Sequence, residues 1–206
     1  MKNCIKLVEN IANDLHLVIQ NQSGVSIIET PDYGWYNYRY TSDRFRLAHV
    51  QIFNQNKFCV IHCCVFPQIN DPAPIYGFDV IAGENKITGM FMDLSPVVGS
   101  GFPFTSFQPQ HRRDPPEWGG IFSEHWLACR PSYEEMELIG VEAVRVLTYY
   151  LTTLGSVSDP ELVKQGQNRY CINQQQNEHT RKALVNLLGI HSANKFMSEI
   201  LFPVIA

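Results

Sequence analysis

Between residues 34 and 94 the chain falls into five short segments, 34–41, 44–54, 57–66, 76–82 and 86–94, rich in β-branched and aromatic residues. Turn-forming residues divide them: Asn54–Gln55–Asn56, Asn70–Asp71–Pro72 and Gly83–Glu84–Asn85. Antiparallel neighbours can be joined by a tight turn, whereas parallel ones need a long crossover. Connections this short therefore predict consecutive hairpins and a largely antiparallel sheet.

Helical patterns flank this block. Residues 3–21 carry Ile5, Leu7, Val8, Ile11, Leu15, Val18 and Ile19 as an apolar stripe. Beyond the sheet, residues 95–121 are rich in proline and glycine with little periodicity, and read as a long irregular connection of the kind that is usually functional or mobile. Ser132, with Glu135 three residues on, reads as a helix start; Met136, Ile139, Ala143, Leu147 and Tyr150 follow at helical spacing. A further helical region opens at Ser158–Asp159–Pro160, turns polar through Asn173–Asn177, and is amphipathic again through Ala183, Leu184, Leu187 and Leu188. Residues 192–202 are expected to form a last short helix. Strands in one block with helices on both sides predict an α+β sandwich. Neither a repeat nor a linker is visible, so residues 1–206 are read as one domain.

Composition excludes several classes. At 45% hydrophobic, 12% aromatic and 17% charged residues, the chain is too apolar for disorder. A net charge of −4 argues against nucleic-acid binding through bulk positive charge. No stretch has the roughly 18 apolar residues of a membrane helix, and Lys2, Lys6, Glu9 and Asp14 interrupt the N-terminal stripe where a secretory signal would be apolar. The six cysteines (Cys4, Cys59, Cys63, Cys64, Cys129 and Cys171) form no CxxC pair and read as packed, reduced thiols. A soluble, cytoplasmic protein is expected. Nine tyrosines and twelve phenylalanines hint at a cavity lined by rings.

The motifs that cradle dinucleotides or triphosphates are missing, as are GxSxG and HExxH. A redox enzyme built on this chain would draw its electrons from outside. Strand parity supplies the best local clue. Alternation places Phe45, Leu47, His49, Gln51 and Phe53 on one face of 44–54, and Phe58, Val60, His62, Cys64 and Phe66 on one face of 57–66. Asp79 shares a side with Gly77 and Ile81. If these faces coincide, two imidazoles and a desolvated carboxylate meet among apolar neighbours, an arrangement suited to delivering protons. The same residues are compatible with two hydrogen-bonded core histidines and a turn-capping aspartate, or with a two-histidine, one-carboxylate metal site.

Several longer motifs occur in order over residues 35–203: RFRLAHVQ at 44–51, VIHCCVFP at 60–67, PIYGFDVIAG at 74–83, DLSPV at 93–97, PEWGGIFSEHWLACRPS at 116–132, YCINQQQNEHTRKAL at 170–184 and FMSEILF at 196–202. Together they resemble the ferredoxin-dependent bilin reductases, and among these most nearly the phycocyanobilin-forming branch.

The resemblance implies a three-layer α/β/α sandwich with a central, largely antiparallel sheet. Biliverdin IXα would lie between the sheet and the C-terminal helices. It further implies no tightly bound cofactor and no metal, electrons delivered singly by a reduced [2Fe–2S] ferredoxin, bilin radical intermediates, and a monomer. Carried over by motif, Asp79 matches the family's proton-donating aspartate and His62 its histidine partner, while His49 matches a second pocket histidine. Arg113 matches an arginine that anchors a propionate, and Asn177 with Glu178 a polar pair near the tetrapyrrole. His179 stands where relatives carry a lysine. Gln51 replaces a glutamate that protonates the D-ring exovinyl group in the phycocyanobilin-forming enzymes. An amide cannot act as that acid, which with the short N-terminus shifts the expected four-electron product toward phycoerythrobilin, as in compact phage-encoded relatives acting in a host cytoplasm; phycocyanobilin is the alternative. A bilin carrier that has lost turnover is the alternative from another class. An acidic ferredoxin would need a local basic patch on this negative chain, with Lys57, Arg112, Arg169, Arg181 and Lys182 as candidates.

Overall fold

The computed structural model describes residues 2–206 apart from 56, 111, 115 and 118. Asn56 of the first turn and Trp118 of the PEWGG motif therefore lie outside the described residues.

The N-terminal stripe becomes helix α1 (Cys4–Gln20), capped by the Asn3 side chain, which accepts from the Lys6 N–H. After the two-residue strand β1 (Ser26–Ile27), the segments read from turn spacing form β2 (Tyr36–Thr41), β3 (Phe45–Gln55), β4 (Phe58–Pro67), β5 (Ile75–Gly83) and β6 (Ile87–Ser95). A short β7 (Leu127–Cys129) completes a seven-stranded sheet whose spatial order is its sequence order, with every pairing antiparallel. The two shortest strands carry too few residues for an alternation to register in sequence. Helix α2 (Tyr133–Thr153) starts at the Ser132–Glu135 cap. It packs with α1 on one face of the sheet, and Gly140 permits the close crossing: a Cβ there would lie 2.6 Å from Ile11.

The opposite face is covered by α3 (Pro160–Gln174), α4 (Glu178–Leu188) and α5 (Ile190–Lys195), which runs into a π-helical turn over Phe196–Leu201. The single helical region expected from residue 158 onward is thus divided. The chain leaves α3 at Gln175, and Asn177 restarts a helix by accepting from the His179 and Thr180 N–H groups. The last helix likewise begins at Ile190 and changes pitch at Phe196. Gly166 lets α3 approach the chain leaving β6 closely; a Cβ there would fall 2.1 Å from the Val97 carbonyl oxygen.

Two buried clusters sit on either side of the sheet, giving the three-layer α+β sandwich. Register confirms the parity reading with one correction. Phe45 packs with α1 and α2, away from Leu47 and His49. A β-bulge between Phe45 and Leu47 inserts Arg46 and reverses parity N-terminal to it. Arg46 joins Leu47 on the C-terminal-helix side, where its guanidinium reaches Gln167 and covers the Phe66 ring.

Candidate active site

The sheet brings His49, Gln51, His62 and Asp79 onto one face. Gln51 stands directly opposite His62, and His62 directly opposite Asp79. Directly opposed residues on neighbouring strands lie close enough for their side chains to meet. His62 Nδ1 and Asp79 Oδ1 are 2.7 Å apart. A carboxylate oxygen accepts, so the imidazole donates through Nδ1–H and its Nε2 points elsewhere. That Nε2 is buried without a partner. The His62 side chain is 10% exposed but that of Asp79 is 43% exposed, more open than a carboxylate placed among apolar neighbours was expected to be. The pair thus has a buried end and an open end. Asp79 can meet a bound molecule while His62 stays behind it, a geometry suited to passing a proton outward.

His49 sits behind the pair, its ring 5.5 Å from that of His62. Burial pushes its imidazole well below the ordinary value near 6.5, and the neighbouring His62 and Arg39 act in the same direction. Phe202 packs edge-on against the His62 ring at 5.8 Å. Its backbone carbonyl accepts from Gln175 at the α3–α4 corner. Tyr170 on α3, held by Gln174, reaches the sheet at Gly77, two residues from Asp79. Phe202 and Tyr170 were not singled out from sequence, although both close or open a motif quoted above; nothing in their spacing distinguishes them from packing residues.

The remaining candidates occupy two places. Arg113 lies on the Asp79 face: a Cβ on Gly89 would sit 3.6 Å from its Nη1, and Gly89 pairs with Ile81 in the next strand. Lys86, Arg112, Arg113 and Arg130, with Asp114, line a cleft of about 560 Å³. Arg112 is the one residue of the five-member docking set found there. Lys57 instead pairs with Glu84, and Arg181 is tied to Gln175 and Asn194. Asn177, Glu178 and His179 cluster at the α3–α4 corner, with Asn177 engaged in capping and the other two exposed.

Asp93, pointing to the same face as Gly77, is fully buried. It accepts from the Ser95 hydroxyl and from the Ser123 hydroxyl and N–H, pinning the far end of the irregular connection to β6. Burial raises its carboxyl and these hydrogen bonds oppose the rise. All six cysteines are buried and free. Among the described residues no three His, Cys, Asp or Glu side chains converge as metal ligands, so the alternative of a His49–His62–Asp79 metal site lacks its geometry. No helix among the described residues is long and apolar enough to cross a membrane.

Comparison with known proteins identifies the family. The profile of the family described as ferredoxin-dependent bilin reductase matches residues 11–203. A phycocyanobilin:ferredoxin oxidoreductase from Synechococcus elongatus is 28% identical over 185 residues, covering 80% of this chain and 74% of the relative. One from Trichodesmium erythraeum is 29% identical over 182 residues, covering 79% and 74%. Among solved structures, that of PcyX superposes with a TM-score of 0.71 at 24% identity, over 97% of this chain and 99% of the other. Tomato phytochromobilin synthase, solved in complex with biliverdin, superposes at 0.63 with 12% identity, over 96% and 82%. With nearly its whole length matched by the family profile, the chain belongs to the ferredoxin-dependent bilin reductases and is an oxidoreductase.

Proposed function

We propose that the protein reduces biliverdin IXα by four electrons, delivered singly from a reduced [2Fe–2S] ferredoxin through bilin radicals, while Asp79 and His62 supply the protons. The observation that carries this reading is the 2.7 Å His62–Asp79 hydrogen bond with its buried imidazole and open carboxyl end. Each electron added to a conjugated bilin raises its basicity, so a proton must follow. Asp79 gives a proton to the bilin, and the His62 imidazolium returns one to Asp79 through Nδ1. The bilin would lie against this face under the C-terminal helices, with Arg113 as a guanidinium fork for one propionate. Asn177, Glu178 and His179 are assigned to the other edge of the same pocket. The reaction is placed in the cytoplasm, with the enzyme as a monomer.

Gln51 favours phycoerythrobilin over phycocyanobilin as product. It faces His62 across the β3–β4 pair, where an acid could deliver a proton, but an amide has no such proton. Lys86, Arg112, Arg113 and Arg130 gather four cations around Asp114, the local positive field that an acidic ferredoxin would need on a chain of net charge −4.

Anaerobic incubation with biliverdin, ferredoxin and a reducing system tests the reading. Loss of the biliverdin spectrum and chromatographic appearance of phycoerythrobilin are expected; bound biliverdin whose spectrum never changes would identify a carrier instead. Gln51→Glu should move the products toward phycocyanobilin, and an unaltered product profile would overturn the role given to Gln51.

A further inference from the structure

Two β2 residues that no motif singled out, Asn37 and Arg39, lie on the histidine face, opposite Gln51 and His49. Asn37 makes two hydrogen bonds that decide which way its amide points. The Trp35 backbone carbonyl can only accept, and Asn37 Nδ2 lies 3.2 Å from it. The amide oxygen is left facing His49 Nε2 at 3.3 Å. That oxygen can only accept, so His49 donates through Nε2–H. A neutral imidazole carries one N–H, so Nδ1 is an acceptor lone pair. His49 Nδ1 is buried without a partner, as is Nε2 of His62, whose ring is 5.5 Å away. Neutrality has its own cause: Arg39 stands directly across from His49, with its Nη2 on the Glu199 carbonyl, and a second cation beside it in this buried layer is unfavourable.

We propose that Asn37 is a positioning residue that locks His49 as the Nε2–H tautomer, so that the histidine pair presents an acceptor lone pair on His49 Nδ1 beside His62. When an imidazolium at His62 gives its Nδ1 proton to Asp79, it becomes a neutral imidazole protonated at Nε2. Carboxylate and imidazolium have then become carboxylic acid and imidazole, with no proton gained or lost. The neighbouring His49 ring, 5.5 Å away, then carries an acceptor at Nδ1 rather than a second N–H, so it does not oppose the proton that His62 now holds on Nε2. This use in bilin reduction rests on the function proposed above; the tautomer itself does not.

Nitrogen NMR of the full chain labelled at histidine, without bilin and near neutral pH, reads the tautomer directly. The signal lost in His49→Gln should show a proton on Nε2 and none on Nδ1. Asn37→Leu should lose that pattern, giving a mixture or a shift of the proton to Nδ1. Asn37→Asp should keep a proton on Nε2, because a carboxylate oxygen also accepts. A Nδ1–H tautomer in the wild type, or an unchanged pattern in Asn37→Leu, overturns the proposal. Should Asn37→Leu fail to fold, the wild type and Asn37→Asp decide it, and a neutral Nδ1–H form in either is fatal. With biliverdin and ferredoxin, Asn37→Leu should lower kcat while leaving KM within about twofold. A correct tautomer in a wild-type protein that reduces no bilin would fault the reaction and leave the tautomer standing.

Discussion

The two faces of one sheet differ in chemistry although the same strands supply both: one buries apolar side chains, the other mixes apolar with ionisable side chains. Toward α1 and α2, strands β3 to β5 present Ala48, Val50, Ile52, Ile61, Cys63, Val65, Phe78 and Val80, all buried and apolar. Toward α3 to α5 the alternate positions present His49, Gln51, His62 and Asp79. The covering helices match: α1 buries only apolar residues, whereas α3 buries Gln167 and Gln174 beside Val163 and Tyr170. A dry face can be packed densely and supplies much of the hydrophobic stabilisation. That leaves the other face free to hold two imidazole nitrogens buried without partners, each of which opposes folding.

Four substitutions would break or sharpen this contrast. The largest effect belongs to the dry face. Phe78→Ala should cost about 3–5 kcal/mol in a urea unfolding measurement, through lost transfer energy and the cavity left between sheet and helices. A cost under about 1 kcal/mol would show that this face is not the stabilising one. Next, Asp79→Asn should slow bilin turnover about a hundredfold or more in anaerobic assays. Its side chain is 43% exposed, so stability should move by less than about 1 kcal/mol.

Asp93→Ala tests whether every polar residue on the histidine face belongs to the chemistry. It strips the Ser95 and Ser123 donors of their acceptor, so a loss of about 2 kcal/mol in unfolding free energy is expected. Unaltered stability would deny Asp93 its anchoring role. The smallest effect concerns pH. His49 is held well below its unfolded value near 6.5, so between those two values the unfolded chain binds more protons than the folded one. Stability from this group is present above about pH 6.5 and declines as pH falls below it, by about 1.4 kcal/mol per pH unit at most. His49→Gln should flatten that part of the curve in pH-dependent melts. His16, also lowered by burial, leaves a residual slope of the same sign.

Legibility followed the range of the interaction. Strand boundaries were readable because turn residues act locally, and β2 to β6 fall within a few residues of the expected segments. Alternation was enough to place His49 and His62 each on one face of its own strand, but only the register shows that the two faces coincide. The position of Phe45 was not, because a bulge leaves no mark on composition. Nor was the break at Gln175–Asn177, where an asparagine that could extend a polar helix face instead caps the next helix. Asn37 and Arg39 were invisible for another reason: their importance depends on which strand neighbours β3, and cross-strand partners are not adjacent in sequence.

By itself the sequence determined a hairpin sheet between helical layers, the family through its ordered motifs, and the residues able to carry protons. Those properties reside in local conformational preference and in side-chain chemistry, which travel with the residue. Tertiary structure alone decided that His62 donates to Asp79, that Asp79 is the open end of the pair, that Arg113 shares a cleft with three other cations, and which nitrogen of His49 carries the proton. Distances, exposure and tautomers arise between residues far apart in the chain, and exist only once the register of the sheet has been set.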